Sequence, residues 1–464
     1  MTDIPKIVIV GGGISGLSAA FFLKQKLQDQ AQIILLEKEN RLGGLIQTER
    51  DNGFLIEGGP ESFVSRKPAG IKLCEALGIR SELIESNQDT NRTFILHKKK
   101  FVGIPSGIFS PFGKPLSPIL KSLLLSRLLS LNGKIRLMRE PLVPRNRTDT
   151  DESLRDFIER RLGPEFYGNL FAPLFAGVYG GEPGSLSAKL VLREYVEAEK
   201  KYGSIFKALL AANSGPPEFH PFKSVFVTLK SGLGTLIERL KQEISPESIR
   251  LNQMILGITR SGEKYQIKFQ NGQEEIADAI ILSTAAYVSA DLARDIDPSL
   301  SYALNQIQYA SGSVFTFGFN RADIKHPLNG YGFLVPAGER LSFTACTWSS
   351  SKWDKRAPYD KVLLRTYCPG IPQNSSLMQE NVISELKNIL QLKKAPILRE
   401  IHLHPRSLPQ YETGHEHRLA EIKSRLSEHP GLYLTGAAYG GIGIPDCIEN
   451  AKSAAEQAAV SIRK

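Results

Sequence analysis

Hydrophobic and polar positions in the first forty residues follow a strand–helix–strand order. Residues 6–10 are a short β-branched run typical of a buried parallel strand, and apolar residues then recur at helical spacing over residues 17–27. A second apolar run over residues 33–36 ends in Glu37. A glycine-rich turn directly follows the first strand, Gly11-Gly12-Gly13-Ile14-Ser15-Gly16. The pattern predicts a βαβ unit whose first strand–helix junction is built on glycine.

This junction has the residue types that bind a dinucleotide. Glycines permit a tight turn and let the backbone approach a pyrophosphate at the helix N-terminus. Glu37 stands about twenty residues after Gly16, the distance at which an acid accepts hydrogen bonds from the adenosine ribose. An ordinary strand-to-helix turn needs one glycine rather than four, so we interpret the turn as a dinucleotide site. Arg41-Leu42-Gly43-Gly44 resembles the R-x-G-G element of the FAD-dependent amine oxidase and desaturase superfamily, which favours FAD.

The pattern changes after residue 95. Residues 96–215 are predicted to be a largely helical insertion, with helices over 120–131, 154–161 and 190–202 and a Gly/Pro break at 213–217. Ser153 is the predicted N-cap of the second of these helices. Residues 216–300 return to strands around a helix at 233–244, and residues 301–410 carry strands separated by turns.

The C-terminal residues repeat the opening theme, with a strand at 431–436, a glycine turn at 440–445 and a helix at 446–462. The fold class is therefore α/β: a Rossmann-type FAD-binding domain closed by both chain ends, with a mixed-sheet substrate domain and a helical insertion. The predicted FAD-binding domain comprises residues 1–95, 216–300 and 411–464, the helical insertion residues 96–215, and the mixed-sheet substrate domain residues 301–410.

Composition adds limits to this scheme. Hydrophobic residues make up 41% and charged residues 23% of the chain, which are ordinary values for a globular protein. The net charge of +10 suits anionic substrates, anionic lipids or nucleic acid. The basic residues are dispersed and no nucleic-acid motif is present, so we expect no nucleic-acid partner. The tight run Lys98-Lys99-Lys100 is interpreted as a solvated hairpin tip.

The cysteines and the N-terminus predict a location. The four cysteines lie far apart without a C-x-x-C pair, which argues against a disulfide framework and against a zinc site. The first strand begins almost at the N-terminus, so we expect no secretory signal and a cytoplasmic protein. Residues 116–131 are apolar but are interrupted by Lys121 and Arg127, which makes them too short and too charged to span a bilayer. We favour a surface or pocket-lining helix there, with peripheral membrane contact as the alternative.

Several motifs together resemble the oxygen-dependent protoporphyrinogen and coproporphyrinogen oxidases of haem synthesis. They are spread over essentially the whole chain, and the run around Gly177 is the most specific. The motifs are Gly58-Gly59-Pro60-Glu61-Ser62-Phe63 with Arg66-Lys67-Pro68; Ser153-Leu154-Arg155-Asp156-Phe157; Phe175-Ala176-Gly177-Val178-Tyr179-Gly180-Gly181; Leu408-Pro409-Gln410-Tyr411; and Gly441-Ile442-Gly443-Ile444-Pro445-Asp446-Cys447-Ile448.

The resemblance implies non-covalently bound FAD, a porphyrinogen substrate and molecular oxygen as oxidant, with other haem-pathway enzymes as further partners left open. No side-chain nucleophile or strong general base is required, because the flavin carries the redox step. By position, the implied cofactor residues are Gly11, Gly12, Gly13, Ile14, Ser15 and Gly16 at the pyrophosphate; Glu37 and Lys38 at the ribose; Leu45, Gly59, Pro60, Glu61 and Ser62 at the riboflavin; Ile255 near the adenine; and Ile442, Gly443 and Ile444 near the isoalloxazine.

The implied substrate residues are fewer. Arg92 matches a position that pairs with a substrate propionate, and Gly177, Leu334 and Tyr367 match positions that flank the macrocycle. Arg66 and Lys67 are either further propionate contacts or solvated loop charges. The pattern of Glu61-Ser62 with Arg66-Lys67 favours coproporphyrinogen, with four carboxylates, over protoporphyrinogen, with two, but both stay open.

Two departures from the family pattern and two alternatives remain. His404 stands where bacterial relatives often place a tryptophan against the flavin, and Leu45 replaces the arginine of amine oxidases. The alternative functions are another flavin amine oxidase or carotenoid desaturase, and a flavin-free carrier on the same fold.

His402 and His404 share a face of a predicted strand, yet no carboxylate or cysteine lies at ligand spacing, so we expect no metal site. Cys447 is interpreted as a core residue rather than a flavin attachment point.

Overall fold

The computed structural model describes residues 4–105, 107–108, 116–146, 148, 150–211 and 222–462 of the chain. Its strands form five sheets. In chain order the strands are β1 Lys6–Val10, β2 Gln32–Leu36, β3 Thr48–Asp51, β4 Phe54–Glu57, β5 Phe63–Val64, β6 Leu83–Glu85, β7 Thr93–His97, β8 Lys100–Gly103, β9 Phe226–Leu229, β10 Ile249–Arg250, β11 Ile255–Ser261, β12 Lys264–Phe269, β13 Glu274–Ala277, β14 Ala279–Leu282, β15 Tyr309–Asn320, β16 Gly332–Leu334, β17 Ala345–Trp348, β18 Lys361–Pro369, β19 Leu398–Pro409 and β20 Leu432–Leu434.

Helices cover the sheets and form a separate cluster between β8 and β9. In chain order they are α1 Ile14–Leu27, α2 Pro68–Ala76, α3 Leu116–Leu125, α4 Leu131–Met138, α5 Leu154–Arg161, α6 Pro164–Phe166, α7 Ala172–Tyr179, α8 Ala188–Val191, α9 Arg193–Tyr202, α10 Ile205–Ala211, α11 Gly234–Glu243, α12 Ala286–Ala293, α13 Pro298–Asn305, α14 Ser349–Lys352, α15 Ser375–Leu390, α16 His415–Leu426, α17 Ala437–Gly440 and α18 Ile444–Ser461, with a π-helical turn over Tyr167–Phe171 between α6 and α7.

A five-stranded parallel sheet brings the two chain ends together. Its strand order is β10-β2-β1-β14-β20, so a strand from the C-terminal region pairs beside strands from the N-terminal region. Ile7 of β1 lies opposite Ile33 of β2 on one side and Ala279 of β14 on the other. Both faces of β1 are buried because α1 and α18 cover one face, while α12, α13 and β12 cover the other. The predicted βαβ unit and its closure by both chain ends are confirmed.

A seven-stranded mixed sheet forms the second layer, in the order β19-β15-β18-β17-β16-β7-β8. One face packs on the apolar side of α15, through Val382, Leu386 and Leu390. The β7–β8 hairpin closes one edge, with Lys98 and Lys99 at its tip in the left-handed region, φ 50° and 60°. The interpretation of these lysines as a hairpin tip is confirmed, and the predicted boundary at residue 96 falls inside β7.

The helical cluster departs from the predicted pattern. The helix predicted over residues 120–131 is wrong in its second half, because α3 ends at Leu125 and α4 begins only at Leu131. Ser126 accepts a hydrogen bond from the Leu128 amide at 3.2 Å, and Ser130 caps α4 by accepting from Gly133 at 3.1 Å. Buried leucines stand on both sides of this turn, so the apolar pattern continues where the helix does not.

Other helices of this cluster were predicted with mixed success. The segment predicted as one helix over 190–202 is interrupted at Leu192, between α8 and α9, and helices α4, α6, α7 and α10 were not predicted. The Ser153 cap of α5 is confirmed, because its hydroxyl accepts from the Asp156 amide at 3.1 Å. The predicted break at 213–217 lies outside the described residues. Within the described ranges, no helix is long and apolar enough to cross a membrane.

Buried ion pairs hold the helical cluster together. Arg161 is fully buried, pairs with the carboxylate of Glu140 and donates to the Val143 carbonyl at 2.9 Å. Glu140 also accepts from the amides of Ile205 and Phe206, at 2.8 and 3.2 Å, at the start of α10. Beside them, the guanidinium of Arg160 makes paired hydrogen bonds with Glu152 and with Glu199. The cluster therefore has a charged interior in which each carboxylate has a cationic partner.

Candidate functional site

The glycine turn after β1 has the shape of an anion site. Gly11 lies in the left-handed region, φ +108°, and donates from its amide to the Leu36 carbonyl at 2.8 Å. A Cβ at Gly16 would lie 1.9 Å from the Gly11 carbonyl oxygen, so only glycine fits there. No side chain of the described part caps α1, which begins after Gly13. The first-turn amides are therefore available to a pyrophosphate, so the turn fits the dinucleotide.

Glu37 is held at the carboxyl end of β2. Its two carboxylate oxygens accept from the Gly12 amide at 2.7 Å and from the Glu39 amide at 2.9 Å. A carboxylate has about four lone-pair sites, so capacity for ribose hydroxyls remains. Lys38 points outward and lies 3.3 Å from the Glu39 carboxylate. The acid thus reaches the glycine turn, as the spacing predicts, whereas Lys38 has no contact with it.

A cleft of about 310 Å³ adjoins Glu37. Gln253 connects the two, because it lines the cleft and its amide donates to the Glu37 carbonyl at 2.8 Å. Ile255, the predicted adenine neighbour, follows at the start of β11 and pairs with Phe269 in the cleft wall. The cleft is lined by Asn252, Gln253, Met254, Phe269, Gln270 and Asn271.

The R-x-G-G turn packs directly on the glycine turn. Gly43 forms a bridge with Gly13, and its amide donates to the Gly12 carbonyl at 2.8 Å. Arg41 donates to the Gly44 carbonyl at 2.8 Å, so its role is to close the turn. Leu45 follows, and a Cβ at Gly59 would lie 1.9 Å from the Leu45 carbonyl oxygen. Leu45 and the loop from Gly59 to Ser62 are therefore adjacent, as the riboflavin assignment requires.

The C-terminal glycine turn reaches the same place. Gly443 is the N-cap of α18, and its amide donates to the Asp446 carboxylate at 3.2 Å, with Ile442 and Ile444 on either side. Ser15 lies near the start of this segment, since its hydroxyl is 4.0 Å from a Cβ placed on Gly436. Burial raises the pKa of Cys447 to about 11, with Ser15 opposing that shift, so the thiol is protonated at neutral pH. The core assignment of Cys447 is consistent with its burial.

Lys67 is exposed, and its side chain forms an ion pair with this turn. Its ammonium lies 2.7 Å from the Asp446 carboxylate. The charge of Lys67 is compensated within the protein, so Lys67 is a weaker candidate for a propionate contact than its position in the motif implies. Arg66, the residue before it, is exposed.

A strap formed by Gln410 and Tyr411 was not assigned a role from the sequence, although it is part of the resemblance. The Tyr411 hydroxyl accepts from the Gly441 amide at 2.7 Å and donates to the Ala437 carbonyl. Its ring stacks on His415, with centroids 4.4 Å apart. On the other side, Gln410 donates to the Tyr179 carbonyl at 2.8 Å. The strap joins the C-terminal glycine turn, at Gly441, to the end of α7.

The seven-stranded sheet presents one row of side chains beside this assembly. Ile95, Leu334, Ala345 and Tyr367 are register partners across β7, β16, β17 and β18. A Cβ at Gly177 would lie 3.7 Å from the Leu334 side chain, so α7 approaches the row closely there. The structure therefore brings Gly177 and Leu334 into contact and sets Tyr367 in the same row.

Arg365 links this row to the Gly58–Ser62 loop. The fully buried guanidinium donates to the Gly59 carbonyl at 2.7 Å, the Glu61 carboxylate at 3.2 Å and the Tyr367 hydroxyl at 3.0 Å. Burial alone would raise the pKa of Glu61, but the cations of Lys352, Arg365 and Arg356 hold that pKa below its ordinary value. The signal for Arg365 in the sequence was only its spacing, two residues before Tyr367.

The same loop tests whether a flavin fits. Glu61 Oε1 is buried and has no hydrogen-bond partner among the described residues, so it can accept from a bound group. Pro60 and Ser62 flank it in the loop. His404 Nε2 lies 2.8 Å from the Gly58 carbonyl oxygen, and burial lowers the pKa of His404, so the neutral ring donates to the loop. The residues fit a riboflavin, and His404 buttresses the loop.

Arg92 stands at the rim of the site. It is exposed, and its carbonyl accepts from the Tyr331 amide at 2.7 Å just before β7 begins. The predicted partner of its side chain is a substrate carboxylate, so its role stays a prediction. Of the predicted substrate residues, Gly177, Leu334 and Tyr367 gather on one wall, Arg92 stands just before β7 at the end of that wall, and Arg66 is exposed.

Comparison with known proteins agrees with this geometry. The family model for flavin containing amine oxidoreductases matches residues 14–459. The coproporphyrinogen III oxidase of Bacillus subtilis (strain 168) is 30% identical, over 99% of each chain. The protoporphyrinogen oxidase 1 of Arabidopsis thaliana chloroplasts is 28% identical, over 96% of this chain and 86% of the relative. A crystal structure of a candidate protoporphyrinogen oxidase from Exiguobacterium sp. 255-15 superposes with a TM-score of 0.87, at 30% identity over 100% of both chains.

Proposed function

This chain belongs to the flavin containing amine oxidoreductase family, and on that premise we propose that it oxidises a porphyrinogen to the porphyrin in haem synthesis, with molecular oxygen as acceptor. It is an FAD-dependent oxidoreductase. The proposed substrate is coproporphyrinogen III or protoporphyrinogen IX, the substrates in the names of its relatives. Of the two, we favour coproporphyrinogen III.

Bound FAD would supply the redox chemistry, three two-electron oxidations in which the macrocycle loses a hydride and a proton each time and one oxygen molecule is reduced to hydrogen peroxide. The chain's own residues are proposed to bind the cofactor, orient the substrate and exclude water. The glycine turn and Glu37 are proposed to hold the adenosine diphosphate, and the Gly59–Ser62 loop with the turn at Gly443 to hold the ring. Burial raises the pKa of Tyr367, so its hydroxyl stays protonated at neutral pH and orients toward Arg365.

One observation carries the proposal: the row Ile95–Leu334–Ala345–Tyr367 runs beside the Gly59–Ser62 loop. Arg365 ties the loop to the row through hydrogen bonds of 2.7–3.2 Å, so a ring held by the loop would face the row. The row and α7 offer an apolar wall, and Arg92 at its edge supplies a cation. A flat apolar macrocycle with carboxylates at its periphery has the complementary chemistry.

The deciding experiment supplies both porphyrinogens side by side, under air, and follows porphyrin fluorescence. We expect turnover of at least one, with one molecule of hydrogen peroxide for each two electrons removed. A yellow holoprotein that oxidises neither, but oxidises amines, would favour the amine oxidase alternative. A purified protein without a flavin absorption spectrum would favour the carrier.

We further propose peripheral contact with an anionic membrane through a stripe on α4 and the 3-10 turn that follows it, defined as Leu131, Ile135, Met138 and Leu142. These residues recur at helical spacing and are exposed, Leu131 by 74% and Leu142 by 81%. The buried side of α4 faces the helical cluster through Leu137. Exposed basic residues flank the stripe, namely Lys121, Arg127, Arg139 and Arg145. An apolar stripe bordered by cations suits the interface of an anionic bilayer.

Vesicle sedimentation tests this contact. The wild type should sediment with vesicles that contain phosphatidylglycerol, and the variant Leu131→Glu/Ile135→Glu should not. The control Leu377→Glu, on the exposed side of α15, should bind as the wild type does. Equal binding by all three proteins, or by none, would show that the stripe is not a lipid-binding surface. If none binds, a haem-pathway enzyme becomes the partner to test.

The four cysteines are all free thiols, which supports the cytoplasm as the proposed compartment.

A further inference from the structure

Lys352, the last residue of α14, is a cation that the sequence did not single out. Its ammonium nitrogen lies 5.0 Å from the ring centroid of Phe226 and 5.0 Å from that of Trp353. Phe226 is 37% exposed, on the open face of β9. Among the described residues, no carboxylate lies within ion-pair distance of this nitrogen. Two aromatic faces hold the ammonium, and the carboxylate that acts on its charge, Glu61, lies beyond ion-pair distance.

The nearby acid is already paired. Glu61 contributes to the charge balance of Lys352, but its carboxylate lies 3.2 Å from the Arg365 guanidinium. Arg356 adds a further buried cation, which donates to the Leu229 carbonyl at 2.9 Å. Glu57 is ionised only in part at neutral pH, because burial raises its pKa to about 7. Three cations therefore face Glu61 and a partly ionised Glu57 in this part of the protein.

Lys352 also lies among the predicted substrate cations. Its carbonyl accepts from the Asn87 amide at 2.8 Å, and the adjacent Ser351 carbonyl accepts from the Thr90 hydroxyl at 2.8 Å. The loop from Asn87 therefore runs along α14 before it reaches Arg92. On the other side, Ser65 donates to the Ser224 and Val225 carbonyls just before Phe226, at 2.6 and 2.9 Å. Arg66 follows Ser65, so Arg66 and Lys352 lie at the start of β9, and Arg92 follows the stretch from Asn87 to Thr90 that runs along α14.

We propose that Lys352 is a substrate-binding residue whose ammonium pairs with a carboxylate of the substrate, while Phe226 packs against the substrate's apolar edge. The proposal rests on the proposed function, since it names a porphyrinogen carboxylate as the anion. An ammonium that must share Glu61 with the guanidinium groups of Arg365 and Arg356 gains more from an incoming carboxylate than a solvated lysine does. Lys352 would add a third cation to the predicted substrate residues Arg66 and Arg92, which suits a tetracarboxylate better than a dicarboxylate and agrees with coproporphyrinogen as substrate.

The test uses the holoenzyme and measures binding of coproporphyrin III by fluorescence quenching, together with the KM for coproporphyrinogen III. Lys352→Met keeps the length and apolar stem of the side chain but removes its charge. We expect the dissociation constant and KM to rise about tenfold, with little change in kcat and in FAD content. Lys352→Arg should restore most of the affinity. Lys394→Met removes an exposed lysine and should behave as the wild type.

A purely structural role predicts other results. Loss of Lys352 would then lower kcat, FAD content and thermal stability together, leave the salt dependence of porphyrin binding unchanged and not be rescued by arginine. That pattern, or an unchanged dissociation constant in Lys352→Met, would overturn the proposal. Failure of the proposed function gives a separate result: the wild type would oxidise neither porphyrinogen, and the direct binding measurement would still decide the role of Lys352.

Discussion

The five-stranded parallel sheet and the helical cluster between β8 and β9 are stabilised in different ways. The sheet is built from short apolar runs, and each of its central strands is buried on both faces by residues that recur in the sequence as a recognisable pattern. The helical cluster has an apolar core too, but Arg161, Glu140 and Glu199 lie inside it. The sheet depends on local pattern, and the cluster depends on a few contacts between residues far apart in the chain.

This difference separates the two halves of the site. The glycine turn and Glu37 belong to the sheet and are proposed to hold the cofactor. Gly177 and the end of α7 belong to the cluster and are proposed to face the substrate. Changes in the cluster should therefore affect folding of the substrate side first, and changes at the ends of the sheet should affect FAD first.

The largest effect is expected from Glu140→Ala. It would leave the buried Arg161 with only Glu199, at 3.4 Å, as an ionic partner and remove the acceptor of the Ile205 and Phe206 amides. Breaking one side of a buried ion pair costs about 3–5 kcal/mol of unfolding free energy. Urea unfolding, followed by circular dichroism, should show an earlier transition for the helical cluster, while the flavin absorption of the parallel-sheet region persists to higher urea.

A matched variant sharpens this test. Glu140→Leu combined with Arg161→Met removes both charges, so no uncompensated charge stays buried, and it should cost clearly less than Glu140→Ala alone. If the double variant is the less stable of the two, the ion pair itself stabilises the cluster and the comparison with the apolar sheet must be revised.

The second-largest effect is expected from a substitution at the edge of the parallel sheet. Gly16→Ala would set a Cβ 1.9 Å from the Gly11 carbonyl oxygen, so α1 must shift away from the glycine turn. We expect a loss of about 2 kcal/mol in FAD binding, which is about thirtyfold in the dissociation constant. Titration of apoprotein with FAD measures it. Gly103→Ala, where nothing lies within 4 Å of the added Cβ, is the control and should bind FAD normally.

The same contrast explains what the sequence could predict. The runs at β1, β2, β14 and β20 and their glycine turns were found because each is local and repeats a known period. The end of α3 was missed because the apolar run continues through the turn at Ser126, and only the fold decides which leucines are buried. The one-residue break between α8 and α9, at Leu192, is equally invisible to periodicity, since the apolar pattern continues across it.

The site was predicted in the same uneven way. The cofactor residues at the glycine turns could be predicted because a pyrophosphate and a ribose demand fixed residue types at fixed spacing. Arg365 could not, because its role depends on β18 packing against the Gly58–Ser62 loop, which comes from a distant part of the chain. Lys67 was predicted from its motif, but the ion pair with Asp446 depends on the position of α18.

A smaller effect is expected from Glu37→Ala. The substitution removes the acceptor of the Gly12 and Glu39 amides and the proposed ribose contact. Loss of hydrogen bonds to a charged group should weaken FAD binding about tenfold. Glu39→Ala, at an exposed neighbouring acid, is the matched control. A Glu37→Ala protein that purifies with full flavin would contradict the ribose role while leaving the glycine turn untouched.

The smallest effect should come from Tyr411→Phe, which tests the strap that joins the two regions. The change removes only the hydroxyl, which accepts from Gly441 and donates to Ala437, and keeps the ring on His415. A hydrogen-bonded hydroxyl is worth about 1 kcal/mol, so FAD should bind about fivefold more weakly, with the helical cluster as stable as in the wild type. Tyr302→Phe, at a tyrosine that is 67% exposed, is the control. An unchanged FAD affinity together with a destabilised helical cluster would assign Tyr411 to the cluster alone, and the flavin-side turn would then be held without help from the substrate side.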